Sequence, residues 1–320
     1  MSKLEGFKES KPKIFIDGAE GTTALEIRER LKKLIEGEEI KMVFVKGFAK
    51  DPEQRRKAMN QSDLVVLCLP DEAAKESVEI AGSLGFNKPK ILDASTAHRV
   101  AEGWVYGFPE MDNQQIEKIK EADAVSNPGC YATGAIALIR PLVQAGILPE
   151  DYPITINAVS GFSGGGKKMI EKHKEGTAPN FELYGLDLEH KHVPEIQKHG
   201  LLKESPIFIP SVGNFYQGML VSVPLHLKEL SAKTTGKDIA EALKKHYANS
   251  NQIKVVLHSL SDSRLNPEML AKTDKLELHV FWDEKKEQAI LVASLDNLGK
   301  GAAGAAVQNI ELMLGLANQK

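Results

Sequence analysis

The sequence predicts an α/β protein in which a Rossmann-type domain with a parallel sheet is joined to a second α+β domain with a mainly antiparallel sheet. In the first half, apolar runs alternate with helical patterns, and the first run leads directly into a glycine turn. After residue 150, apolar runs follow one another with few helices between them. The 320 residues also suit two domains, since about 150 residues per domain is typical.

The first half predicts four buried strands separated by helices. The apolar run at residues 13–17 (KIFID) predicts a strand, and residues 22–35 carry apolar positions on one helical face. The predicted elements that follow are strand 41–45, helix 51–60, strand 63–69, helix 71–84 and strand 90–93. Strands that alternate with helices form βαβ units, so we expect a parallel sheet with helices on both faces.

The second half has a different pattern. Strands are predicted at residues 154–159, 207–209, 218–226, 252–258, 275–282 and 288–295, with helices near 167–175 and 236–248. Residues 301–316 (GAAGAAVQNIELMLGL) predict a helix of small residues that packs closely against the rest of the molecule. This arrangement indicates a second, mainly antiparallel sheet.

Composition and charge exclude several classes of protein. Lys+Arg 41 minus Asp+Glu 44 gives a net charge of −3, which is unlike a general nucleic-acid binder. No apolar run approaches the roughly 18 residues of a membrane span. The start, MSKLEGFKESKPK, lacks the apolar segment of a signal peptide, so we expect a cytoplasmic chain without a membrane or nucleic-acid partner. Two cysteines cannot form a disulfide scaffold, and both are expected to be free thiols.

The glycine turn after the first strand indicates a dinucleotide site. It reads Gly18-Ala-Glu-Gly21-Thr22-Thr23-Ala24, a G-x-x-G-x-x-A variant of the usual fingerprint. Glycines let the backbone approach a pyrophosphate, and the following helix offers free N–H groups at its N-terminus. The two threonines can cap the helix and donate hydroxyls. The alternative is a plain βα turn that uses glycines only for its geometry.

The second strand indicates which dinucleotide binds. An NAD site requires an acidic residue at the C-terminal end of this strand, but here the strand ends Val45-Lys46-Gly47, and Glu38 and Glu39 precede it. Several cations follow the strand: Lys46, Lys50, Arg55 and Arg56. A cationic loop suits a 2′-phosphate, so NADP(H) is favoured over NAD. A solvated basic loop is the alternative.

Cys130 is the candidate nucleophile. It follows Asn127-Pro-Gly and precedes a long helical pattern, which places it at a helix N-terminus. The partial positive charge there is expected to lower the pKa of the thiol and favour the thiolate. Cys68 lies within the apolar strand DLVVLCLP and is expected to be a buried hydrophobe. The alternative for Cys130 is a cysteine that caps a helix by chance.

A thiolate that works beside a nicotinamide cofactor needs a proton shuttle, usually a histidine. The charged loop EHKHVPE places His190 and His192 close together, and either could be the acid/base. No third ligand stands nearby at a typical metal spacing, so no metal is expected.

The segment GFSGGGKK at residues 161–168 nearly matches a Walker A phosphate loop. Lys168 stands where the Mg²⁺-binding hydroxyl would be, which disfavours a kinase or ATPase. A glycine loop whose N–H groups and Lys167 face an anion is the preferred interpretation.

With these motifs in view, the chain resembles the N-acetyl-gamma-glutamyl-phosphate reductases of arginine biosynthesis, in their shorter form. The resemblance runs nearly end to end, and SNPGCYATG at residues 126–134 is its most specific part. The other matching segments are KIFIDGAEGTT (13–23), LDASTAHRV (92–100), WVYGFPE (104–110), SGFSGGGK (160–167), HKHVPEI (190–196), VGNFYQGM (212–219) and LDNLGKGAAGAAVQN (295–309). It implies a semialdehyde-dehydrogenase-like fold and the NADPH-dependent reduction of an acyl phosphate with release of phosphate.

The resemblance also implies roles for individual residues. Cys130 matches the family's nucleophile and His192 its acid/base. The implied substrate-binding residues are Ser95, Arg99, Asn127, Ser163 and Glu195. The implied cofactor-binding residues are Gly18, Glu20, Gly21, Thr22, Thr23, Lys46, Arg55, Leu69, Pro70, Gly164 and Asn297.

Family members form homo-oligomers, so a dimer or tetramer is expected, and their C-terminal helix returns to the N-terminal domain. The resemblance therefore implies an NADP-binding domain at residues 1–129 and 300–320 and a catalytic and oligomerisation domain at residues 130–299. Two alternatives remain: a reductase of an aminoadipyl or aspartyl phosphate, and a non-catalytic NADP-binding regulator.

Overall fold

A computed structural model describes residues 11–45, 51–231, 233–258 and 263–316. The N-terminal part comprises β1 (Lys13–Asp17), α1 (Thr22–Glu36), β2 (Lys41–Val43), α2 (Pro52–Asn60), β3 (Leu64–Leu67), α3 (Asp71–Gly82), β4 (Lys90–Asp93), β5 (Val105–Tyr106), α4 (Gln115–Glu121) and β6 (Ala124–Ser126). The C-terminal part comprises α5 (Cys130–Gln144), β7 (Thr155–Gly161), α6 (Gly166–Lys174), β8 (Phe181–Leu183), α7 (Val193–Gly200), β9 (Ile207–Gly213), β10 (Met219–His226), α8 (Gly236–His246), β11 (Ile253–Leu257), β12 (Leu276–Asp283) and β13 (Gln288–Leu295). A π-helix (Gly299–Ala303) and α9 (Gly304–Met313) follow.

The N-terminal sheet confirms the predicted Rossmann-type architecture. Its strands run β2-β1-β3-β4-β6-β5 and pair in parallel throughout. Helices α1 and α9 contact each other on one side of this sheet, and α2 contacts α3. Two separate apolar clusters, one for each side, bury the strands on both faces. This double burial explains the continuous apolar runs in the sequence.

Local sequence accounts for the helices that flank the glycine turn. Helix α1 buries Ala24, Ile27, Leu31 and Leu34, which are three or four residues apart and therefore share one face. Helix α2 begins after Asp51, whose carboxylate accepts the N–H of Glu53. This N-cap satisfies one of the backbone donors that a helix start leaves free.

The C-terminal sheet has seven strands in the order β11-β12-β13-β10-β7-β9-β8. The β11/β12 and β7/β9 pairs are parallel, and the other four pairs are antiparallel, as the second half of the sequence predicts. Helix α5 packs on this sheet against β13, β10 and β12, and it also contacts α7 and α8. Their buried side chains form one large apolar core.

The chain end returns to the N-terminal sheet. Helix α9 contacts α1, α4 and β4, and its Ala306 and Ile310 are fully buried there. The predicted helix at residues 301–316 is thus present, but it begins as a π-helix and ends at Met313. Within the described ranges, each helix falls short of the length and apolarity needed to cross a bilayer.

Several short elements were not predicted. Strands β5, β6 and β8 have only two or three residues, too few to show a period, and α4 is similarly brief. Helix α7 was missed for another reason. The sequence interpretation placed His190, His192 and Pro194 in a charged loop, but proline is well tolerated in the first turn of a helix, and α7 begins at Val193.

Candidate active site

A cavity of about 340 Å³ lies where the two parts of the chain meet. The N-terminal part contributes Thr22, Thr23 and Arg99 to its lining, and the loop into α5 contributes the segment from Asn127 to Tyr131. The glycine loop, the segment around His192 and the turn before α9 complete it. The carboxyl ends of the parallel strands open towards this cavity, where α/β proteins usually bind ligands.

Cys130 is the first residue of α5, as predicted. The preceding Gly129 is extended, with φ −77° and ψ 148°, so the chain turns from β6 straight into the helix. A β-carbon at Gly301, in the π-helix, would lie 2.8 Å from the Cβ of Cys130. The π-helix therefore packs directly against the candidate nucleophile.

The thiol of Cys130 does not have the low pKa that its position at a helix N-terminus predicted. Burial raises the pKa of Cys130 to about 11. Arg99, the backbone N–H of Tyr131 and Lys191 oppose this by lowering it, and Glu195 raises it slightly. Desolvation outweighs the helix terminus, so the thiol needs a base to remove its proton at neutral pH.

His192 lies beside the turn that leads into Cys130. A β-carbon at Gly129 would overlap the Nε2 of His192 and lie 2.5 Å from the Nη1 of Arg99. Burial, together with Arg99, holds the pKa of His192 well below 6.5, so the imidazole is neutral and can accept a proton. Its buried Nδ1 has no hydrogen-bond partner within the described residues.

His190 lies next to His192 and bonds to its backbone. Its Nδ1 accepts the backbone N–H of His192 at 3.1 Å, and the two rings lie 4.8 Å apart. Burial lowers the pKa of His190 to about 4. Both histidines line the cavity and both are neutral at pH 7.

Glu195 was expected to bind substrate, and the structure corrects this. Its Oε1 accepts the backbone N–H of Gly129 at 2.7 Å and the hydroxyl of Tyr106 at 2.6 Å, while its Oε2 accepts from the Nη1 of Arg99 at 3.1 Å. The side chain is 1% exposed and does not line the cavity. Because both oxygens are engaged inside the protein, Glu195 holds Arg99 and the turn at residues 127–129 (the cysteine turn) in place.

Ser95 is also engaged inside the protein instead of facing substrate. Its hydroxyl donates to Asp93 at 2.7 Å and accepts from the N–H of Ala97, and it does not line the cavity. Asn127 does line the cavity, but its Nδ2 donates to the carbonyl of Ala302 and its Oδ1 accepts from Asn309. Its backbone carbonyl accepts the Nε–H of Arg99 at 3.0 Å.

The predicted residues of the glycine loop and of the LDNLGKG segment meet in the cavity. The Nδ2 of Asn297 donates to the Oγ of Ser163 at 2.9 Å, and its Oδ1 accepts the N–H of Gly218. Gly164 lies next to this pair, since a β-carbon there would be 3.4 Å from the Nδ2 of Asn297. Lys167, which was expected to face an anion, is exposed and does not line the cavity.

The glycine turn has the shape that a dinucleotide pyrophosphate requires. Gly18 has φ +85°, and a β-carbon there would overlap the carbonyl of Cys68, so only glycine fits. Helix α1 starts after Gly21 without a side-chain cap, which leaves its first N–H groups available. Thr22 and Thr23 line the same cavity as Cys130. The turn therefore fits the cofactor that the sequence predicted.

The other expected cofactor residues lie at the carboxyl edge of the sheet or outside the description. Glu20 and Pro70 are exposed and Leu69 is half-buried, and none of the three lines the cavity. Leu69 packs against Gly18, because a β-carbon there would be 2.9 Å from its side chain. Lys46 lies outside the described residues.

Arg55 does not have the role expected of it. Its guanidinium bonds to Asp17 at 3.0 Å and Glu76 at 3.2 Å, and it also contacts Ser77. It is 5% exposed, on the inner side of α2. A charge that is buried and paired with Asp17 is not available to a 2′-phosphate, so Arg55 instead fixes the end of β1 just before the glycine turn.

Sequence reasoning missed several lining residues, among them Tyr131, Tyr184 and Lys191. The hydroxyl of Tyr184 donates to that of Tyr131 at 3.2 Å. Lys191 could have been found, because it stands between two histidines that were already singled out. No sequence pattern marked the two tyrosines as site residues, because a tyrosine at either position could equally belong to the hydrophobic core.

Comparisons with known proteins agree with this geometry. The family described as semialdehyde dehydrogenase, NAD binding domain, matches residues 13–119, and semialdehyde dehydrogenase, dimerisation domain, matches residues 130–297. The chain is 50% identical to the N-acetyl-gamma-glutamyl-phosphate reductase of Rhizobium meliloti over 312 residues, which covers 95% of this chain and 99% of that protein. It is 52% identical over 313 residues to the reductase of the same name from Rhizobium etli, with the same coverage.

Solved structures of lower identity show the same fold. Aspartate semialdehyde dehydrogenase II of Vibrio cholerae matches with a TM-score of 0.70 at 15% identity, covering 96% of this chain and 99% of that one. The aspartate semialdehyde dehydrogenase of Candida albicans, in a structure with NADP, matches with a TM-score of 0.64 at 15% identity. The match covers 95% of this chain and 99% of that one. The curated relatives and both family matches show that the chain belongs to the N-acetyl-gamma-glutamyl-phosphate reductases of the semialdehyde dehydrogenase family.

Proposed function

We propose that this protein reduces N-acetyl-γ-glutamyl phosphate to N-acetylglutamate 5-semialdehyde with release of phosphate, using NADPH, in arginine biosynthesis. The observation that carries the proposal is the meeting of Cys130, His192 and Arg99 with the glycine turn in one cavity. A nucleophile, a neutral base and a cation beside a dinucleotide turn are what acyl-phosphate reduction requires. The names of the curated relatives agree with this reaction.

The glycine turn and the glycine loop would hold the cofactor. Thr22 and Thr23 at the start of α1 would bind its pyrophosphate, and Gly164 and Asn297 would lie at its nicotinamide end. When bound, the reduced cofactor supplies the hydride that reduces the acyl group. Because Arg55 is paired with Asp17, the preference for NADP over NAD rests on other residues near the end of β2.

The first chemical step forms a thioester on Cys130. His192 takes the proton from the thiol, and the sulfur attacks the acyl carbon. The bond between that carbon and the phosphate oxygen breaks, and phosphate leaves with the electron pair and the proton from His192. The backbone N–H groups at the start of α5 stabilise the oxyanion of the tetrahedral intermediate.

The second step releases the aldehyde. After reduction, the carbon that is bonded to sulfur carries an alkoxide, which collapses and expels the Cys130 thiolate. The neutral His192 relays a proton from solution to this sulfur, which restores the thiol. Over both steps, one acyl phosphate, one reduced cofactor and one proton give one aldehyde, one oxidised cofactor and one phosphate.

We also propose a division of labour between the two parts of the chain. Residues 1–129 and 300–320 would form the cofactor domain, since α9 packs on the N-terminal sheet. Residues 130–299 would form the catalytic domain and pair with a second copy, consistent with the description of the matching family as a dimerisation domain. Two exposed apolar side chains of the C-terminal sheet, Ile207 and Ile290, are suited to such a contact. The cytoplasmic location stays a prediction.

The experiment that tests this function is the reverse reaction. We expect phosphate-dependent reduction of NADP⁺ with N-acetylglutamate 5-semialdehyde and a lower kcat/KM with NAD⁺. A higher kcat/KM with aspartate 4-semialdehyde or an aminoadipate semialdehyde would move the assignment to that substrate. Normal binding of NADP⁺ without turnover of any aldehyde would favour a regulator, and absence of NADP⁺ binding would contradict the whole assignment.

A further inference from the structure

The charges around the cavity do not match a doubly charged acyl phosphate unless one particular lysine takes part. Of the described residues that line the cavity, only Arg99 and Lys191 carry a positive charge at neutral pH, because His190 and His192 are neutral there. A phosphoryl group brings up to two negative charges close to the thiol. A cation at the cavity must balance these negative charges.

Arg99 already has a counter-charge inside the protein. Its Nη1 pairs with the buried carboxylate of Glu195 at 3.1 Å, and its Nε donates to the backbone carbonyl of Asn127. Arg99 and Glu195 are 9% and 1% exposed, so water screens their mutual attraction only weakly. Glu195 therefore offsets part of the positive charge that Arg99 presents to the cavity, although the outer edge of the guanidinium can still donate a hydrogen bond.

Lys191 has the opposite character. It is exposed, it lines the cavity, and within the ranges that the structure describes no carboxylate lies at ion-pair distance from its ammonium group. Its two neighbours in sequence, His190 and His192, also line the cavity, and the N–H of His192 bonded to the Nδ1 of His190 fixes the backbone that carries it. The backbone at Lys191 is therefore fixed, and in the described part of the chain a carboxylate, that of Asp71, acts on its charge only from beyond ion-pair distance.

We propose that Lys191 binds the phosphoryl group of the acyl phosphate, and inorganic phosphate in the reverse reaction, together with the outer edge of Arg99. This rests on the proposed function. The phosphoryl oxygen is bonded to the very carbon that Cys130 attacks, so the phosphate must lie close to the thiol. Lys191 is close enough to lower the pKa of that thiol, and so is Arg99. The carboxylate of the same substrate lies three carbons away and carries only one charge.

The reverse reaction separates these two anions because phosphate and aldehyde are then different substrates. In Lys191→Gln, we expect the KM for phosphate to rise about tenfold to a hundredfold, the usual effect of losing one charge-assisted hydrogen bond. The KM for the aldehyde and for NADP⁺ should stay within about twofold of wild type. Lys191→Arg should restore most of the affinity for phosphate.

Alkylation of Cys130 gives a readout that does not depend on turnover. Inorganic phosphate should protect the wild-type thiol from iodoacetamide, and Lys191→Gln should need about tenfold more phosphate for the same protection. Lys203→Gln is the matched control, since Lys203 is exposed, pairs with Glu150 at 3.4 Å and lies away from the cavity lining.

The outcomes distinguish the two proposals. A wild-type enzyme without phosphate-dependent turnover contradicts the proposed function itself. An active wild type together with an unchanged KM for phosphate in Lys191→Gln overturns the role of Lys191. A rise in the KM for the aldehyde alone would also overturn it and assign the lysine to the substrate carboxylate.

Discussion

The carboxylate of Glu195 accepts the backbone N–H of Gly129 at 2.7 Å, one residue before the candidate nucleophile. Through its other oxygen, the same carboxylate pairs with Arg99. One buried group on α7 thereby sets the position of the cysteine turn and of the cation that faces it. The second part of the chain is connected in this way to the loop of the first part that carries Arg99.

Replacing Glu195 tests this positioning role. Glu195→Gln leaves Arg99 buried without its counter-charge, so the free energy of unfolding should fall by about 3 kcal/mol. At a temperature where the variant is folded, kcat should fall while the KM for NADPH stays near wild type, because Glu195 contacts the cysteine turn, Arg99 and Tyr106 but not the glycine turn. Glu204→Gln, at an exposed glutamate, is the control. Wild-type kcat in a folded Glu195→Gln protein would contradict the role.

A substitution of Gly129 tests the close packing around the thiol of Cys130. An alanine there would overlap the Nε2 of His192 and lie 2.5 Å from the Nη1 of Arg99, so both side chains must shift. Since small displacements of catalytic groups are costly, we expect kcat to fall about 10²-fold in Gly129→Ala with NADPH binding retained. Gly82→Ala, where an added β-carbon meets nothing within 4 Å, should behave as wild type. Equal activities of the two variants would exclude the predicted clash.

His192 is expected to be the acid/base. Its imidazole is neutral because burial keeps its pKa well below 6.5, so it can take the thiol proton of Cys130 at neutral pH. His192→Asn should lower kcat by about 10²–10⁴, the usual loss for a missing acid/base. In the wild type, activity should not fall as the pH drops just below 6.5, since the histidine stays deprotonated there. The comparison variant is His190→Asn; a larger loss there would move the role to His190.

A substitution of Arg55 tests whether this residue stabilises the fold or selects the cofactor. Arg55→Met removes one partner of the buried pair with Asp17, so the free energy of unfolding should fall by about 3–5 kcal/mol. The ratio of kcat/KM for NADPH and NADH should stay unchanged, because the guanidinium faces the protein interior. Lys57→Met, at an exposed position on the same helix, controls for the loss of a charge. A selectivity that shifts towards NADH would restore the original expectation for Arg55.

The fold could be predicted because its signals are local. The apolar run at residues 13–17, the glycine turn and the periodicity of α1 each point to the same βα unit, and the structure has them in place. The position of Cys130 at a helix start was equally predictable, because Asn-Pro-Gly forces a turn there.

The roles of individual site residues could not be predicted as well, because they depend on contacts between residues far apart in the sequence. Glu195 and Arg99 are 96 positions apart, and whether a carboxylate meets substrate or a buried guanidinium is decided by packing. The pKa of Cys130 was misjudged for the same reason, since the extent of burial is a property of the folded chain. Arg55 was expected to bind the 2′-phosphate, but in the folded chain its guanidinium pairs with Asp17 instead.

The most direct test of the account is to look for acylation of Cys130. The protein is mixed with N-acetyl-γ-glutamyl phosphate without cofactor, and phosphate release and the mass of the Cys130 peptide are followed. We predict a burst of phosphate equal to the enzyme concentration and an acyl group on Cys130 that hydroxylamine removes, neither of which occurs in Cys130→Ser. Phosphate release only in the presence of NADPH, without an adduct on Cys130, would contradict the thioester route.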